Sequence, residues 1–326
     1  MVKTKLKKQA EPLPLFPLLN LSELCREHGL TDVRLTDFSV GWDGRAYLLF
    51  AQGPEGRGEE QNSFYTAALL DMDWADGRVA DTAVYPLGVL GDSFHFLQPL
   101  NEDFLLVGAR CSYGESGPEQ NALLLRRDGT IRSRFCLGDG ILACVTKADG
   151  TIITSYFDEG IFGNYGWGAE HNGRYVPSLG ECGLAAWTTR GEMLWKNTKY
   201  PIDDCYAIHL DDTERLWFYY YVEFRLVRTD FQEDLVLDVP IQGSSAFAVD
   251  DTGETFLFQG GYDQQKKLYF LSRQGNRLTN QRKAIPTAPD GRAIEVQWYS
   301  LLRRRMLFLE TGGMLWGGVL GESKLP

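Results

Sequence analysis

The chain of 326 residues carries 44% hydrophobic, 13% aromatic and 24% charged residues, a globular composition that can bury a sizeable core and excludes a wholly disordered protein. A formal net charge of −11 with a pI near 5.0 excludes a phosphate-backbone partner, since nucleic-acid binders concentrate Lys and Arg for counterion release, and an anionic membrane surface would repel it. No apolar run approaches the roughly 18 to 20 residues of a transmembrane helix.

The chain opens with MVKTKLKKQAEPLPLFPLL, basic and then apolar, but three prolines break the apolar part and no small-residue cleavage site follows, so it reads as an arm and not as a signal peptide. Next comes LNLSELCREHG, where Asn20 can cap, Glu23 can answer it and Gly29 can stop a short helix. That helix plugs or flanks the fold, or binds a partner. Six cysteines (Cys25, Cys111, Cys136, Cys144, Cys182, Cys205) lie far apart in sequence without a CxxC pair. With no export signal, reduced thiols in a cytoplasmic protein are the expected state.

From residue 37 onward a unit recurs. Its first half is an alternating strand, a short polar turn and a second apolar strand: DFSVGWDGRAYLLFA (37–51), DSFHFLQPLNEDFLLVGAR (92–110), GILACVTKADGTIITSYFD (140–158), DCYAIHLDDTERLWFYYYV (204–222), SAFAVDDTGETFLFQGG (245–261) and EVQWYSLLRRRMLFLETGG (295–313). Its second half is a hairpin around a Gly or Asp turn: ALLDMDWADGRVADT, ALLLRRDGTIRSRF, GLAAWTTRGEMLWKN, FRLVRTDFQEDLVLDV and LYFLSRQGNRLTNQ. Four antiparallel strands repeated every roughly 40 to 60 residues predict an all-β, six-bladed β-propeller of four-stranded blades. A β-sandwich would give the same hairpins without six copies in phase.

The sixth copy stops after GMLWGGVLGESKLP, before an outer strand. The N-terminal segment, through LPLFP or VRLT, is expected to supply it and leave no open edge. The division is therefore an arm with a short helix at 1–30, closing the ring, and one propeller domain at 31–326.

In a meander blade the first-to-second and third-to-fourth turns share one face of the disc. There the turns are short: GWDGR, KADG, DDTER, DDTGE. The opposite face carries AQGPEGRGEEQNSF (51–64), GARCSYGESGPEQN (108–121), the stretch 155–183 and QGGYDQQKK (259–267). Long loops on one end of a rigid β scaffold collect binding residues, so this is the expected functional face.

The inner strands begin on that face with acids: Asp37, Asp92, Asp139, Asp203 with Asp204, and Glu295. Pointing into the channel, they would make a negative mouth suited to a divalent cation, Ca²⁺, Mg²⁺ or Mn²⁺. Asp37, Asp92, Asp139, Asp204 and Glu295 are the candidate metal ligands. The plainer reading of each is a turn residue that bonds its own backbone.

Residues 155–175, SYFDEGIFGNYGWGAEHNGRY, put glycines, Gly160, Gly163, Gly166 and Gly168 among them, between rings and acids. Asp158, Glu159, Tyr165, Trp167 and His171 are candidate ligand-binding residues, with Tyr221 from WFYYYVEF (217–224) as a rim residue beside rings otherwise destined for the core. The loop can equally fold over the channel and bury its own rings. His95 and His209 lie near Asp92 and Asp204, but the odd offsets put each pair on opposite strand faces and favour packing roles. The chain contains no Walker loop, GxSxG, HExxH or dinucleotide fingerprint. Cys182 has no evident base partner.

The repeat of strand, xDGx, strand, loop, strand, DGx, strand resembles the six-bladed propellers over about residues 30–322. The acidic mouth is similar to the metal-dependent lactonase and gluconolactonase group, a resemblance that implies an axial divalent ion and ester hydrolysis. Those enzymes add axial Asn ligands, and the inner-strand starts here show none. SYFDEGIFGNYGW and WKNTKYPIDDCYAI also resemble uncharacterised bacterial cytosolic propeller proteins, which implies no activity. The favoured expectation is a cytoplasmic, monomeric binding or scaffold propeller that recognises a protein or small-molecule ligand on the long-loop face. The alternative is a metal-dependent hydrolase or lyase.

Overall fold

The structure, a computed structural model, describes residues 10–53 and 63–321. It is all-β apart from two short helices. Four antiparallel sheets of four strands stand apart, rather than six, and a nine-stranded sheet takes up the remaining repeats. The first sheet is Val33–Val40, Ala46–Gln52, Phe64–Asp73 and Arg78–Val89, in that order from its inner edge outward. The second runs Phe96–Leu100, Asp103–Val107, Ala122–Leu125, Ile131–Phe135, and the third Ile141–Thr146, Ile152–Tyr156, Leu184–Trp187, Met193–Lys196.

The nine-stranded sheet holds two antiparallel runs, Asp204–Leu210 to Asp234–Asp238 and Phe247–Val249 to Arg277–Thr287. A single parallel bridge, Asp238 to Arg277, joins them at their outer strands. That bridge is why the expected separate fourth and fifth sheets merge. The fourth separate sheet comprises Val296–Ser300, Arg305–Glu310 and Met314–Val319, and its outer strand comes from the N-terminus: Phe16–Asn20 pairs antiparallel with Met314–Val319. Just before it, Glu11–Pro14 adds in parallel to Arg277–Thr287. Leu13–Pro17 is thus split between two sheets, whereas Val33–Thr36 belongs to the innermost strand of the first.

Alternation along the middle strands explains the assembly. Tyr47, Leu49 and Ala51 pack with Leu97, Phe104 and Leu106 of the second sheet. Ala46, Leu48 and Phe50, pointing the other way, pack with Leu307, Leu309 and Leu315 of the last. Further cores join the second and third sheets to the fourth repeat, the fourth repeat to the fifth, and the fifth to the last sheet with Leu13 and Leu15. Because every sheet shares a core with both neighbours and the last packs on the first, the assembly is a closed, propeller-like ring.

The N-terminal helix is Leu21–Glu27, with Asn20 Oδ1 accepting the N–H of Ser22 at 2.9 Å and of Glu23 at 3.3 Å. The second helix, Asp158–Phe162, lies in the long loop of the third sheet; its five residues are too few to show a helical period in sequence. Among the described residues no helix is long and apolar enough to cross a membrane.

Candidate functional site

Innermost strands have one edge that no further strand of their sheet covers, and here those edges surround a cavity of about 380 Å³. All six repeats contribute to its wall, which includes Asp37, His95, Cys144, Tyr206, Phe247 and Trp298. Three of its rings are braced from behind or beside: Trp298 by Phe38, edge-on at 4.8 Å, Tyr299 by Phe308 at 6.2 Å, and Phe247 stacked on Phe258 at 5.3 Å.

One end is closed. The short turn after Val296–Ser300 brings Leu301 and Leu302 into the wall, and the next residue, buried Arg303, donates from Nη2 to the Thr146 carbonyl at 3.1 Å. Arg303 thereby reaches from the last sheet to the far end of the third sheet's inner strand. His209 lies fully buried at the same end, its Nδ1 3.4 Å from the Leu301 carbonyl, and burial lowers its pKa to about 3. It is a neutral packing histidine.

Asp37 is the acid of the wall. It accepts the Leu97 N–H at 2.8 Å, and burial raises its carboxyl from 3.8 to about 7 against that stabilising hydrogen bond. His95 lines the cavity nearer the long-loop face, exposed, with Nδ1 accepting from the Ala109 N–H at 3.2 Å.

The other four candidate metal ligands do not join Asp37. Asp92 turns outward to Arg134 at 2.8 Å, consistent with its odd offset from His95. Asp139 is buried and takes both Arg110 Nε and Nη2, at 2.9 and 3.0 Å, and the Cys111 N–H at 2.8 Å. Asp204 sits beside Asp158; burial first, and that neighbouring charge second, raise its carboxyl to about 7, and its Oδ1 is buried without a hydrogen-bond donor. Glu295 is exposed. A shared sequence position does not give these carboxylates a shared destination, because each takes its own partner: Arg134 for Asp92, Arg110 for Asp139 and the Leu97 N–H for Asp37. Among the described residues no three Asp, Glu, His or Cys groups converge to hold a metal ion.

The long loop at 157–176 is organised by Arg110, which the repeat pattern did not single out. Its guanidinium, besides gripping Asp139, donates to Glu159 and lies over the rings of Tyr165, 4.4 Å from the centroid, and Phe157, at 5.4 Å. Trp167 is buried and donates its indole N–H to the Cys111 carbonyl at 2.7 Å. His171 Nε2 lies 2.7 Å from the Gly166 carbonyl, and its ring packs on Tyr113.

Gly166 is required: with φ +89°, a Cβ there would meet the Tyr113 carbonyl at 2.2 Å. Trp167, His171 and Glu159 therefore tie this loop to 110–121, while Tyr165, 44% exposed, and Asp158 face solvent. A charged hub of this kind could be sought in sequence only as an Arg preceding a glycine-rich loop by four sheet strands.

Tyr221 is exposed while Trp217 to Tyr220 are buried, as alternate burial between sheets requires. With Tyr206, Tyr262 and Phe224 it forms an aromatic cluster in which the hydroxyls of Tyr206 and Tyr262 lie 2.5 Å apart. Tyr262 belongs to the 259–267 connection, so Tyr206 links the cavity wall to the long-loop face. Of the loop at 51–64, residues 54–62 lie outside the described residues.

No family model matches the chain, and no curated protein matches it. Among solved structures it is similar to a catalytically inactive variant of virginiamycin B lyase from Staphylococcus aureus with quinupristin, at 12% identity and TM-score 0.49, covering 93% of this chain and 98% of that one. It is also similar to apo AztD from Citrobacter koseri, at 11% identity and TM-score 0.40 over 88% and 86%. A third is the periplasmic gluconolactonase of Pseudomonas aeruginosa, at 13% identity and TM-score 0.39 over 75% and 83%.

Proposed function

We propose that the chain is a binding propeller of six blades that takes a small molecule into its axial cavity from the long-loop face. The blade count treats the two antiparallel runs of the nine-stranded sheet as two blades, since one parallel bridge is their only strand pairing among the described residues. The observation that supports binding is the cavity itself. Its volume of about 380 Å³ falls within the roughly 300 to 1,000 Å³ of small-molecule sites, and an aromatic wall with few polar groups is the usual lining of such sites.

The test is selection of bound small molecules from a metabolite extract, read by mass spectrometry. A mass retained by the wild type and lost from Trp298→Ala and Tyr206→Ala supports the reading. A wild type that retains nothing, or variants that retain the same mass, overturn it.

A second reading, a hydrolase or lyase, draws on Asp37 and His95 sharing one wall. A carboxyl raised to about 7 in the same wall as an imidazole is equipment for general acid–base chemistry. A divalent cation does not fit this donor set, because Asp92 and Asp139 are held by arginines and Glu295 lies on the surface. Turnover of an ester or lactone panel that Asp37→Asn abolishes would favour this reading over simple binding.

A further inference from the structure

The geometry points to an organic cation as the occupant of the axial cavity: an ammonium group on an apolar body, with the Asp37 carboxylate as counter-charge and the rings of Tyr206, Trp298 and Tyr299 as its surroundings. This rests on the binding role proposed above and names its ligand class.

Charge is the first support. Among the described residues that line the cavity, Asp37 is the one carboxylate and none is Lys or Arg. Its hydrogen bonds there come from the backbone N–H groups of Leu97 and Phe38. A desolvated carboxylate is unfavourable until a cation joins it, and here the missing charge would come with the ligand. An anionic ligand would meet Asp37 within, and Asp158 beside Asp204 at the start of the fourth repeat's inner strand.

The rings are the second support. Aromatic faces attract cations through their quadrupoles, and clustered rings are a recurrent device for quaternary ammonium recognition. Trp298 keeps 39% of its surface exposed although Phe38 braces it, and Tyr206 is held by its contact with the Tyr262 hydroxyl. Rings fixed this way lose little freedom when a ligand binds. Leu142, Ile208 and Leu302 add apolar side chains to the lining, which suit the body of such a ligand.

The test uses the full chain and two probes of one shape, phenyltrimethylammonium and its neutral carbon isostere tert-butylbenzene, titrated by calorimetry and tryptophan fluorescence. The cation should bind at least tenfold more tightly than the isostere. Asp37→Asn, which keeps the side-chain shape, should remove that preference while leaving isostere affinity within about twofold, and Trp298→Leu should weaken the cation in a protein whose circular dichroism is unchanged. Equal or tighter binding of the isostere to the wild type would overturn the cation assignment and leave the cavity's binding role standing. Failure of both probes to bind would overturn the cation assignment, whereas the binding role falls only if the wild type also retains nothing from the metabolite extract. A preference that survives in Asp37→Asn would overturn the role given to Asp37.

Discussion

Asp37→Asn should make the protein more stable than the wild type by an amount that grows as pH rises from about 4 to about 7 and is constant above. The carboxyl is raised from 3.8 to about 7 because burial disfavours its charged form more than the N–H groups of Leu97 and Phe38 favour it. Between those values the folded protein holds a proton that the unfolded chain has released. Stability therefore falls as pH rises through this window and levels off above about 7. A raised carboxyl is the reverse of a salt-bridged one, which loses stability toward acid.

With about 1.4 kcal/mol for each tenfold change in acidity, the upper bound is about 4 kcal/mol; partial solvent access through the cavity reduces the expectation to about 2 kcal/mol. Asparagine keeps an acceptor for Leu97 and carries no charge, so the variant lacks this dependence. Urea unfolding of both proteins at pH about 4 and about 8 isolates the effect, because every other group cancels to first order. Asp37→Asn should gain about 2 kcal/mol on the wild type between the two conditions. A stability difference that is the same at both pH values would refute the reasoning, since burial of a charge cannot act where the charge is absent.

Removing Arg110 leaves Asp139 buried without its cation. Arg110→Ala should therefore cost about 2 kcal/mol, and Arg110→Lys should not restore it, because one ammonium cannot make the paired contact; limited proteolysis should then cut within 157–176, and an unchanged digest would count against the hub. Leu15 is fully buried where the N-terminal segment crosses from one sheet to the next, so Leu15→Ala should lower stability by about 3 kcal/mol in denaturant titration. A change below about 0.5 kcal/mol, the range of surface substitutions, would mean that the closing strands add little. The Sγ atoms of Cys111 and Cys136 lie 3.6 Å apart, whereas a disulfide needs about 2.05 Å. Oxidation by diamide should join this pair ahead of any other, as peptide mapping would show, and a different first pair would contradict the geometry.

The strands were legible because their signals are local: each alternating run and each Gly or Asp turn lies within about ten residues, and the structure places hairpins at all eleven of the quoted segments. The helix at Leu21–Glu27 was readable from its cap for the same reason. The shared position of acids at inner-strand starts was equally visible, but their destinations were not. Asp92 and Asp139 went to Arg134 on the second sheet's outer strand and to Arg110 in the 108–121 connection, 42 and 29 residues away along the chain, and only tertiary packing decides which distant cation reaches a carboxylate.

The same holds for Trp167, whose ring looked available for a ligand until Cys111, 56 residues earlier, took its N–H. The cavity is further still from local information. Its wall takes residues from all six repeats, spread over positions 36 to 302, and Arg303, in the turn after the last inner strand, reaches across to Thr146. Sequence by itself determined the repeating strand pattern, the asymmetry of loop lengths and the acidic balance of the chain, all properties of neighbouring residues. Ring closure decided which inner strands meet at the axis, and with it that Asp37 shares a wall with aromatic rings and, among the described residues, with no Lys or Arg, because convergence at an axis is a property of the whole circuit and of no single segment.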